Sequence, residues 1–371
     1  MRGTVRIGTL AGIPLELHFT WAIIFALVSW SLATGYFPQA VPDLPTGSYW
    51  SKGVLAALLL FASILAHELG HALVARREGV QTRRIVLFAF GGVAELKAEP
   101  PGPGAEFRIA VAGPVVSLGL VVLFGVLAGA LAGRPGAAAV PAYLAMLNGI
   151  VVLFNLIPAF PLDGGRILRA ALWRLWGDLP RATRAAAGGG RFFAYFLIVT
   201  GIIGMLAGHA AGALWRVFIG LFLLMAAQSA AASVWLKEAL SGLHVRDLMV
   251  PDPVALPAHL SVADAIRDYF LARGFGGFPV VRNDHVVGLL ELAQVRAVSA
   301  EERDQVSVQA VALPADASVR TTPEADALEA MQQMLQAGRG RLLVFEGDAF
   351  RGLLTHTGVA RLIQIKMALG M

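Results

Sequence analysis

Six long apolar stretches alternate with polar segments over the first two thirds of the chain. A helix needs about 20 apolar residues to cross the hydrocarbon core of a bilayer, and each stretch is close to that length or exceeds it. The stretches lie at about 19–37, 53–75, 109–131, 140–162, 192–208 and 217–236. The pattern therefore predicts a polytopic membrane region of six transmembrane helices over residues 1–240, and the even number places both of its ends on one side of the membrane.

The hydrophobic pattern changes after residue 236, where charges become frequent and two similar units follow. Each unit has a helical segment followed by two β-prone runs, at 262–272, 278–281 and 286–290 in the first unit and at 325–337, 341–345 and 350–355 in the second. A repeat of this kind indicates two packed copies of one supersecondary unit. We therefore predict a soluble α/β domain at 241–371, with its units at about 245–300 and 305–367.

Composition supports a membrane location. Hydrophobic residues make up 57% of the 371 residues and charged residues only 15%, and the mean hydropathy is +0.67. These values exclude an ordinary soluble protein and predict an integral membrane protein that contacts lipid. The chain has no cysteine, so any metal must be held by His, Asp, Glu or water. His18 and His209 lie near the ends of apolar stretches and are interpreted as interfacial or structural residues.

Basic residues cluster in segments that would share one side of the membrane. The cluster comprises Arg2, Arg6, Arg76, Arg77, Arg83, Arg84, Arg166, Arg169, Arg174, Arg181, Arg184 and Arg191. Because positive loops are retained in the cytoplasm, both termini and the C-terminal domain are predicted to be cytoplasmic. The same rule accounts for the net charge of +5, so we expect no nucleic-acid partner.

The strongest chemical signal lies inside the second apolar stretch, where residues 66–71 are Ala-His-Glu-Leu-Gly-His. On a helix, His67 and His71 lie one turn apart on one face, so both imidazoles can bind one zinc ion with Glu68 as general base. Ionisable groups within a membrane span are costly and mark functional sites. The alternative is that the two histidines only form hydrogen bonds to neighbouring helices.

A zinc ion held by two histidines needs at least one more protein ligand and an open position for water. Asp163 is the candidate, because it follows the segment in which Pro158 and Pro161 break the fourth stretch. Irregular backbone at membrane depth is tolerated only where it is buried in protein or lines a water-filled cavity. Two structural alternatives stay open here, in which Asp163 caps the following helix or pairs with Arg166.

Residues 67–71, together with Asn-Leu-Ile-Pro-Ala-Phe-Pro-Leu-Asp-Gly-Gly-Arg at 155–166, resemble the motifs of the site-2 protease family of intramembrane zinc metalloproteases. The resemblance covers about residues 1–240 and implies a core on the second, third and fourth stretches. It implies Zn²⁺ bound by His67, His71 and Asp163, and water activated by Glu68. It also implies that Asn155 lies near the metal and stabilises the tetrahedral oxyanion.

The family's Ala-Gly-Pro motif is present at 112–114. The asparagine often found three residues beyond its proline is Ser117 in this chain, which argues against a catalytic or substrate role at that position. Residues 84–96 form two short β-prone runs around Gly91 and Gly92, which predicts a membrane-associated β-hairpin. Beside a protease site, the edge of such a hairpin could pair with an extended substrate. The alternative is a simple interfacial loop.

The two C-terminal units resemble a tandem of CBS domains, named after cystathionine β-synthase, which often bind adenine nucleotides and dimerise. In such domains a Thr or Ser after the last strand, followed three residues later by Asp, commonly holds the ribose. These positions are Glu291 and Gln294 in the first unit and Thr355 and Gly358 in the second, so neither unit keeps the carboxylate. The resemblance implies ATP or AMP as a ligand and a homodimer through the CBS domains. The alternative is a pair that serves only dimerisation or substrate docking.

These features predict an intramembrane zinc endopeptidase that hydrolyses peptide bonds within or near the transmembrane segments of membrane proteins and is regulated by adenine nucleotide. Because helical carbonyls are hydrogen-bonded, a substrate helix must unwind, and we expect substrate segments that contain Gly or Pro. A site-2 protease core joined to a CBS tandem is usual in bacteria and archaea, which implies a prokaryotic cell membrane. Two rival hypotheses are a CBS-regulated membrane transporter and a relative that binds membrane segments without cutting them.

Overall fold

A computed structural model of the chain describes residues 3–89, 91–208 and 210–369. Phe90, in the predicted hairpin, and His209 lie outside the described residues. The chain divides into two compact units, Met1–Val234 and Trp235–Met371, and each is described by itself.

The first unit is built mainly from long apolar helices. They are α1 (Thr20–Ala40), α2 (Thr46–Arg77), α3 (Pro103–Ala130), α4 (Pro135–Asn155), α5 (Asp163–Trp176), α6 (Leu179–Leu206) and α7 (Ala210–Leu240). Within the described residues, all except α5 are long and apolar enough to cross a membrane, which confirms the prediction of six spans. The short helix α5 is amphipathic, with small buried residues on one face and arginines along its length.

All the spanning helices except α1 begin several residues before the predicted spans, and two boundaries differ for reasons that the sequence explains. The fourth span was predicted to continue to residue 162, and this was wrong: α4 ends at Asn155 and the chain from 156 to 162 is irregular. Pro158 and Pro161 explain the difference, because proline lacks the backbone donor and disfavours a helical residue before it. Helix α6 begins at Leu179, well before the predicted start at 192, because the Asp178 side chain accepts a hydrogen bond from the Arg181 N–H and caps a first turn that is not apolar.

Small residues allow α2 to lie close to its neighbours. A side chain at Gly53 would lie 2.6 Å from the Ser29 carbonyl oxygen of α1. At Gly70 it would lie 2.8 Å from the Val116 side chain and 3.1 Å from the Ala112 carbonyl oxygen, both on α3. Close helix crossings at small residues are typical of membrane bundles. Gly70 therefore brings α3 against the very turn of α2 that carries His67 and His71.

A four-stranded sheet lies beside the helices, in the order β1-β2-β3-β4. Its strands are β1 (Thr4–Leu10), β2 (Ile13–His18), β3 (Thr82–Phe88) and β4 (Gly91–Leu96). Strands β3 and β4 form the antiparallel hairpin predicted from the sequence, whereas β1 and β2 were not predicted. Strand β2 pairs with β3 in parallel, and Ile13 and Ile85 pack on Ala72 of α2. The sheet is thereby attached to the helix that carries the histidine motif, with β4 at one edge.

The second unit confirms the predicted internal repeat. Its elements are β5 (Leu256–Pro257), a helix formed by Val262–Asp264 and Ala265–Leu271 (α8), β6 (Gly277–Arg282), β7 (His285–Glu291), α9 (Leu292–Ala297), α10 (Val308–Val311), β8 (Leu313–Pro314), β9 (Arg320–Thr321), α11 (Ala327–Gln336), β10 (Arg341–Glu346), β11 (Ala349–Thr355) and α12 (His356–Leu369). In each half a short strand pairs in parallel with the first strand of an antiparallel hairpin, β5 with β6 and β9 with β10. Each half has its own apolar core.

Candidate metal centre

Helix α2 places the two histidines of the motif on one buried face. His67 and His71 are 5% and 4% exposed, and their Nε2 atoms lie 3.1 Å apart. This arrangement follows from the spacing of four residues, which puts both imidazoles on the same side of the helix one turn apart. The two rings therefore aim their Nε2 atoms at one point.

The other nitrogen of each ring is held by α3. His71 Nδ1 lies 2.6 Å from the Ile109 carbonyl oxygen, and His67 Nδ1 lies 2.9 Å from Ser117 Oγ. A carbonyl oxygen can only accept, so His71 carries its proton on Nδ1 and presents a lone pair on Nε2. The Ser117 hydroxyl can accept in the same way, and a His67 that donates to it from Nδ1 also presents a lone pair on Nε2. Such hydrogen bonds fix the tautomer and the orientation of metal-binding histidines.

The irregular segment 156–162 delivers Asp163 to the same point. Its Oδ2 lies 3.1 Å from His67 Nε2 and its Oδ1 lies 3.2 Å from His71 Nε2. Within the part of the chain that the structure describes, the Asp163 side chain makes no capping hydrogen bond although the residue begins α5, and the ion pair of Arg166 is with Glu106. The structure therefore favours neither of the two structural alternatives for Asp163.

Two glycines allow this approach. A side chain at Gly164 would collide with the Leu156 and Ile157 carbonyl oxygens, and one at Gly165 would collide with the backbone of Phe160. The start of α5 consequently lies directly on the segment that precedes it. The glycine pair after Asp163 is needed for packing, and the aspartate itself is the candidate third ligand.

The three side chains fit a zinc ion. Tetrahedral zinc with ligands at 2.0–2.1 Å separates its ligand atoms by about 3.3 Å. The two Nε2 atoms lie 3.1 Å apart, each lies 3.1–3.2 Å from a different oxygen of Asp163, and one ligand atom from each residue lies within 4.8 Å of the others. Two imidazole lone pairs and a carboxylate at such distances repel each other unless a metal ion or a shared proton lies between them. Among the described residues, His67, His71 and Asp163 form the one group of this kind that could hold a metal ion.

The backbone of α3 closes one side of the centre. Any side chain at Gly113 would clash with the Nε2 atoms of both histidines. Gly113 is the glycine of the Ala-Gly-Pro motif, whose role the sequence left unexplained. Ser117 departs from the family's asparagine, which argues against a catalytic role, but its hydroxyl contacts and orients His67. The signal for both residues was their spacing of four on α3, which places them on one face.

Glu68 lies between the histidines and the sheet. Its Oε2 accepts a hydrogen bond of 3.0 Å from the Ala94 N–H of β4. A side chain at Gly92, on the same strand, would lie 2.6 Å from Glu68 Cγ. The edge strand therefore orients Glu68 through its backbone, a contact that the sequence did not suggest.

Asn155, the remaining predicted site residue, is the last residue of α4 and is half-buried. Within the described residues its side chain makes no hydrogen bond to the two histidines or to Asp163. His18, predicted to be interfacial or structural, contacts the Thr20 hydroxyl at 2.9 Å from its Nδ1.

The predicted ribose positions of the C-terminal unit lie at the ends of the two hairpins. Glu291 Oε1 accepts a hydrogen bond of 3.3 Å from the Gly340 N–H and lies 3.6 Å from Arg341 Nη1. The Glu291 carboxylate is thus already engaged by the second half. In that half, Thr355 Oγ1 accepts a hydrogen bond of 2.9 Å from the Gly358 N–H.

Comparison with known proteins finds a peptidase family, a CBS domain and several relatives named as zinc metalloproteases. The family model described as Peptidase family M50 matches residues 55–135 and 130–200, and the CBS domain model matches residues 245–301. A Mycobacterium tuberculosis protein named as a zinc metalloprotease, Rip3, is 40% identical over 98% of this chain and 94% of its own length. A zinc metalloprotease homologue from Synechocystis is 32% identical over 99% of this chain and 97% of its own length. The solved site-2 protease of Methanocaldococcus jannaschii is 31% identical, covers 62% of this chain and 95% of its own, and superposes with a TM-score of 0.45.

Proposed function

Because this chain belongs to peptidase family M50, the site-2 protease family of membrane zinc metalloproteases, we propose that it hydrolyses peptide bonds within or near the transmembrane segments of other membrane proteins. We assign His67, His71 and Asp163 as the zinc ligands and Glu68 as the general base. The observation that carries this proposal is the convergence of three buried ligand groups inside a bundle of apolar helices, with Glu68 beside them. Family membership favours a protease over a transporter.

The residues divide the chemistry between them. Bound zinc would lower the pKa of a coordinated water toward neutrality and polarise the scissile carbonyl. Glu68 Oε2 accepts a hydrogen bond from the Ala94 N–H, which leaves Oε1 for proton transfer. Oε1 would accept the proton of the attacking water and later donate it to the leaving amine. We assign to the Asn155 amide the stabilisation of the tetrahedral oxyanion, from the end of α4.

The substrate has to be extended where it is cut, because a helical peptide bond has its carbonyl hydrogen-bonded. We propose that the substrate unwinds beside β4, the edge strand whose backbone contacts Glu68. An edge strand offers unpaired backbone groups to an extended segment. Substrate spans with Gly or Pro near the cut should be cleaved faster than matched Leu-rich spans. Equal rates for the two would count against unwinding as a requirement.

We propose that both termini and the C-terminal unit are cytoplasmic. The support is the arginine distribution, with clusters after α2 and along α5 and the first half of α6, since such loops remain inside. Cysteines introduced singly into this cysteine-free chain would test the topology. A Cys at Gly338 should react with a membrane-impermeant maleimide only after cells are opened, and one at Gly133 should react in intact cells.

We also propose that the CBS pair binds ATP or AMP, dimerises the protein and regulates cleavage. Because Glu291 is engaged by Gly340 and Arg341, the ligand would lie at the second half, near the half-buried hydroxyl of Thr355. Equilibrium binding of ATP and AMP to the purified full-length protein and to Thr355→Ala tests this. Lack of binding to the unaltered protein would leave dimerisation or docking as the role, and the mass in detergent would show whether a dimer forms.

The experiment that tests the protease assignment compares the unaltered protein with Glu68→Gln. Both are purified and assayed for zinc content and for cleavage of a tagged single-span membrane protein. The assignment predicts stoichiometric zinc in both proteins and cleavage only by the unaltered one, because Glu68 is not a ligand. Zinc in both with no cleavage by either would favour a relative that binds without cutting. Absence of zinc from both would overturn the metal centre.

A further inference from the structure

A buried ion pair lies about two helical turns from the metal centre along α3. Glu106, in the first turn of α3, is fully buried, and its Oε1 accepts hydrogen bonds from Nε and Nη2 of Arg169 on α5, the former at 2.8 Å. Within the described residues Oε2 has no hydrogen-bond partner. A buried carboxylate is costly unless it is paired, so the burial of Glu106 depends on α5 remaining in place.

Helical spacing connects this pair to the centre on both sides. On α3, Glu106 lies three residues before Ile109, whose carbonyl holds His71, and seven before Gly113, which abuts both histidines. On α5, Arg169 lies six residues after Asp163. Residues three or seven apart share a helix face, so Glu106 lies on the face of α3 that meets the histidines. Arg169 reaches that face through its hydrogen bond to Glu106, and the ion pair and the metal centre therefore both lie between α3 and α5.

Arg169 also holds the segment that delivers the aspartate. Its guanidinium lies over the Phe160 ring, 5.2 Å from the centroid, and Phe160 belongs to the irregular segment before α5. The second arginine, Arg166, lies one turn closer to Asp163 but only approaches Glu106, with Nε 3.9 Å from Oε1. Arg169 therefore contacts both Glu106 and Phe160 directly, whereas Arg166 contributes a positive charge near Glu106 without a hydrogen bond to it.

We propose that Glu106 is a positioning residue for the metal centre: through Arg169 it fixes α5 against α3, so that Asp163 stays within reach of His67 and His71. The proposal rests on the zinc assignment made above. Without the ion pair, α5 loses its polar anchor on α3 and Asp163 is held only by the metal it binds. The consequence is a weaker zinc site in a protein that still folds.

The zinc affinities of two arginine variants separate positioning from simple electrostatics. Arg169→Gln and Arg166→Gln each remove one positive charge near the centre, so electrostatics alone predicts unchanged or tighter zinc binding in both, most of all in Arg166→Gln. Positioning predicts that Arg169→Gln binds zinc about 10- to 100-fold more weakly, as for other residues that orient metal ligands, and that Arg166→Gln does not. Affinity is measured by chelator competition on the purified full-length protein in detergent.

Three further variants complete the test. Glu106→Gln should weaken zinc binding as Arg169→Gln does, and the double variant should be no weaker than either single one, because both changes remove the same interaction. Glu78→Gln is the matched control: it breaks a two-donor pair with Arg108, also on α3, in which the arginine is exposed, and should leave the zinc affinity unchanged.

Thermal unfolding of the metal-free proteins shows which variants fold. If Arg169→Gln does not, Arg169→Lys replaces it, since lysine keeps the charge but lacks the planar two-donor geometry, and its affinity should be intermediate. Unaltered zinc affinity in a folded Arg169 variant overturns the positioning role. Failure of the unaltered protein to bind zinc overturns the proposed function instead, so the two failures are distinguishable.

Discussion

Replacement of Gly113 by alanine is the most direct perturbation of the metal centre that changes no ligand. The added methyl group would clash with the Nε2 atoms of His71 and His67, the His67 atom lying only 2.5 Å from it. Metal sites tolerate ligand displacements of about 0.2 Å, and real side chains do not approach this closely, so the rings or α3 must shift by more than that. We expect zinc affinity to fall at least about 100-fold, equivalent to about 2.8 kcal/mol.

The loss of folding stability in Gly113→Ala can be measured separately from the loss of zinc affinity. Overpacking of a buried position destabilises by about 1–3 kcal/mol, so metal-free Gly113→Ala should unfold at a moderately lower temperature than the unaltered protein. Gly119 is the matched control on the same helix, because a side chain there meets none of the described residues within 4 Å, and alanine is preferred to glycine in a helix by about 1 kcal/mol. Gly119→Ala should keep zinc affinity and cleavage rate. Chelator competition measures the zinc affinity and the cleavage assay measures the rate. Wild-type zinc affinity together with full activity in Gly113→Ala would refute the predicted clash with His67 and His71.

Three further predictions follow from the same contacts. Ser117→Ala removes the hydrogen bond that orients His67 and should weaken zinc binding about tenfold, measured by chelator competition; unchanged affinity would mean that the tautomer is fixed without it. Gly92→Ala places a methyl group 2.6 Å from Glu68 Cγ and should lower the cleavage rate at least about tenfold while zinc content stays the same, because only the general base is displaced; loss of zinc would contradict this separation. Gly164→Ala collides with two carbonyl oxygens and should lower the unfolding temperature as well as zinc affinity, so a stable, zinc-replete variant would contradict the packing described for α5.

The membrane spans and the histidine motif were accessible from sequence because both depend on local patterns. Hydrophobicity over about 20 residues marks a span, and a spacing of four residues marks a helix face. Local patterns could not connect Asp163 with the histidines, because it lies 96 residues from His67. The predicted break in the fourth span marked Asp163 as a candidate ligand. The resemblance to a known family implied that it binds the same zinc ion as the two histidines.

The contacts that complete the centre could not be predicted, because they depend on how helices cross. Ser117 lies 50 residues from His67, and only the close approach of α3 at Gly70 brings it there. Glu106 is a single carboxylate at the start of an apolar stretch, and nothing local distinguishes it from an interfacial charge. The sequence does carry a local signal for the hairpin of β1 and β2, because apolar residues alternate on both sides of the Ala11-Gly12 pair. In the structure both turn residues have positive φ, at 52° and 82°.

The position of the cut tests the central claim most directly. The purified protein and Glu68→Gln are reconstituted into liposomes with a single-span substrate, and the new termini are identified by mass spectrometry. The account predicts a cut inside or at the border of the apolar span, produced by the unaltered protein and absent with Glu68→Gln. Cleavage confined to the soluble part of the substrate, or equal cleavage by both proteins, would contradict it.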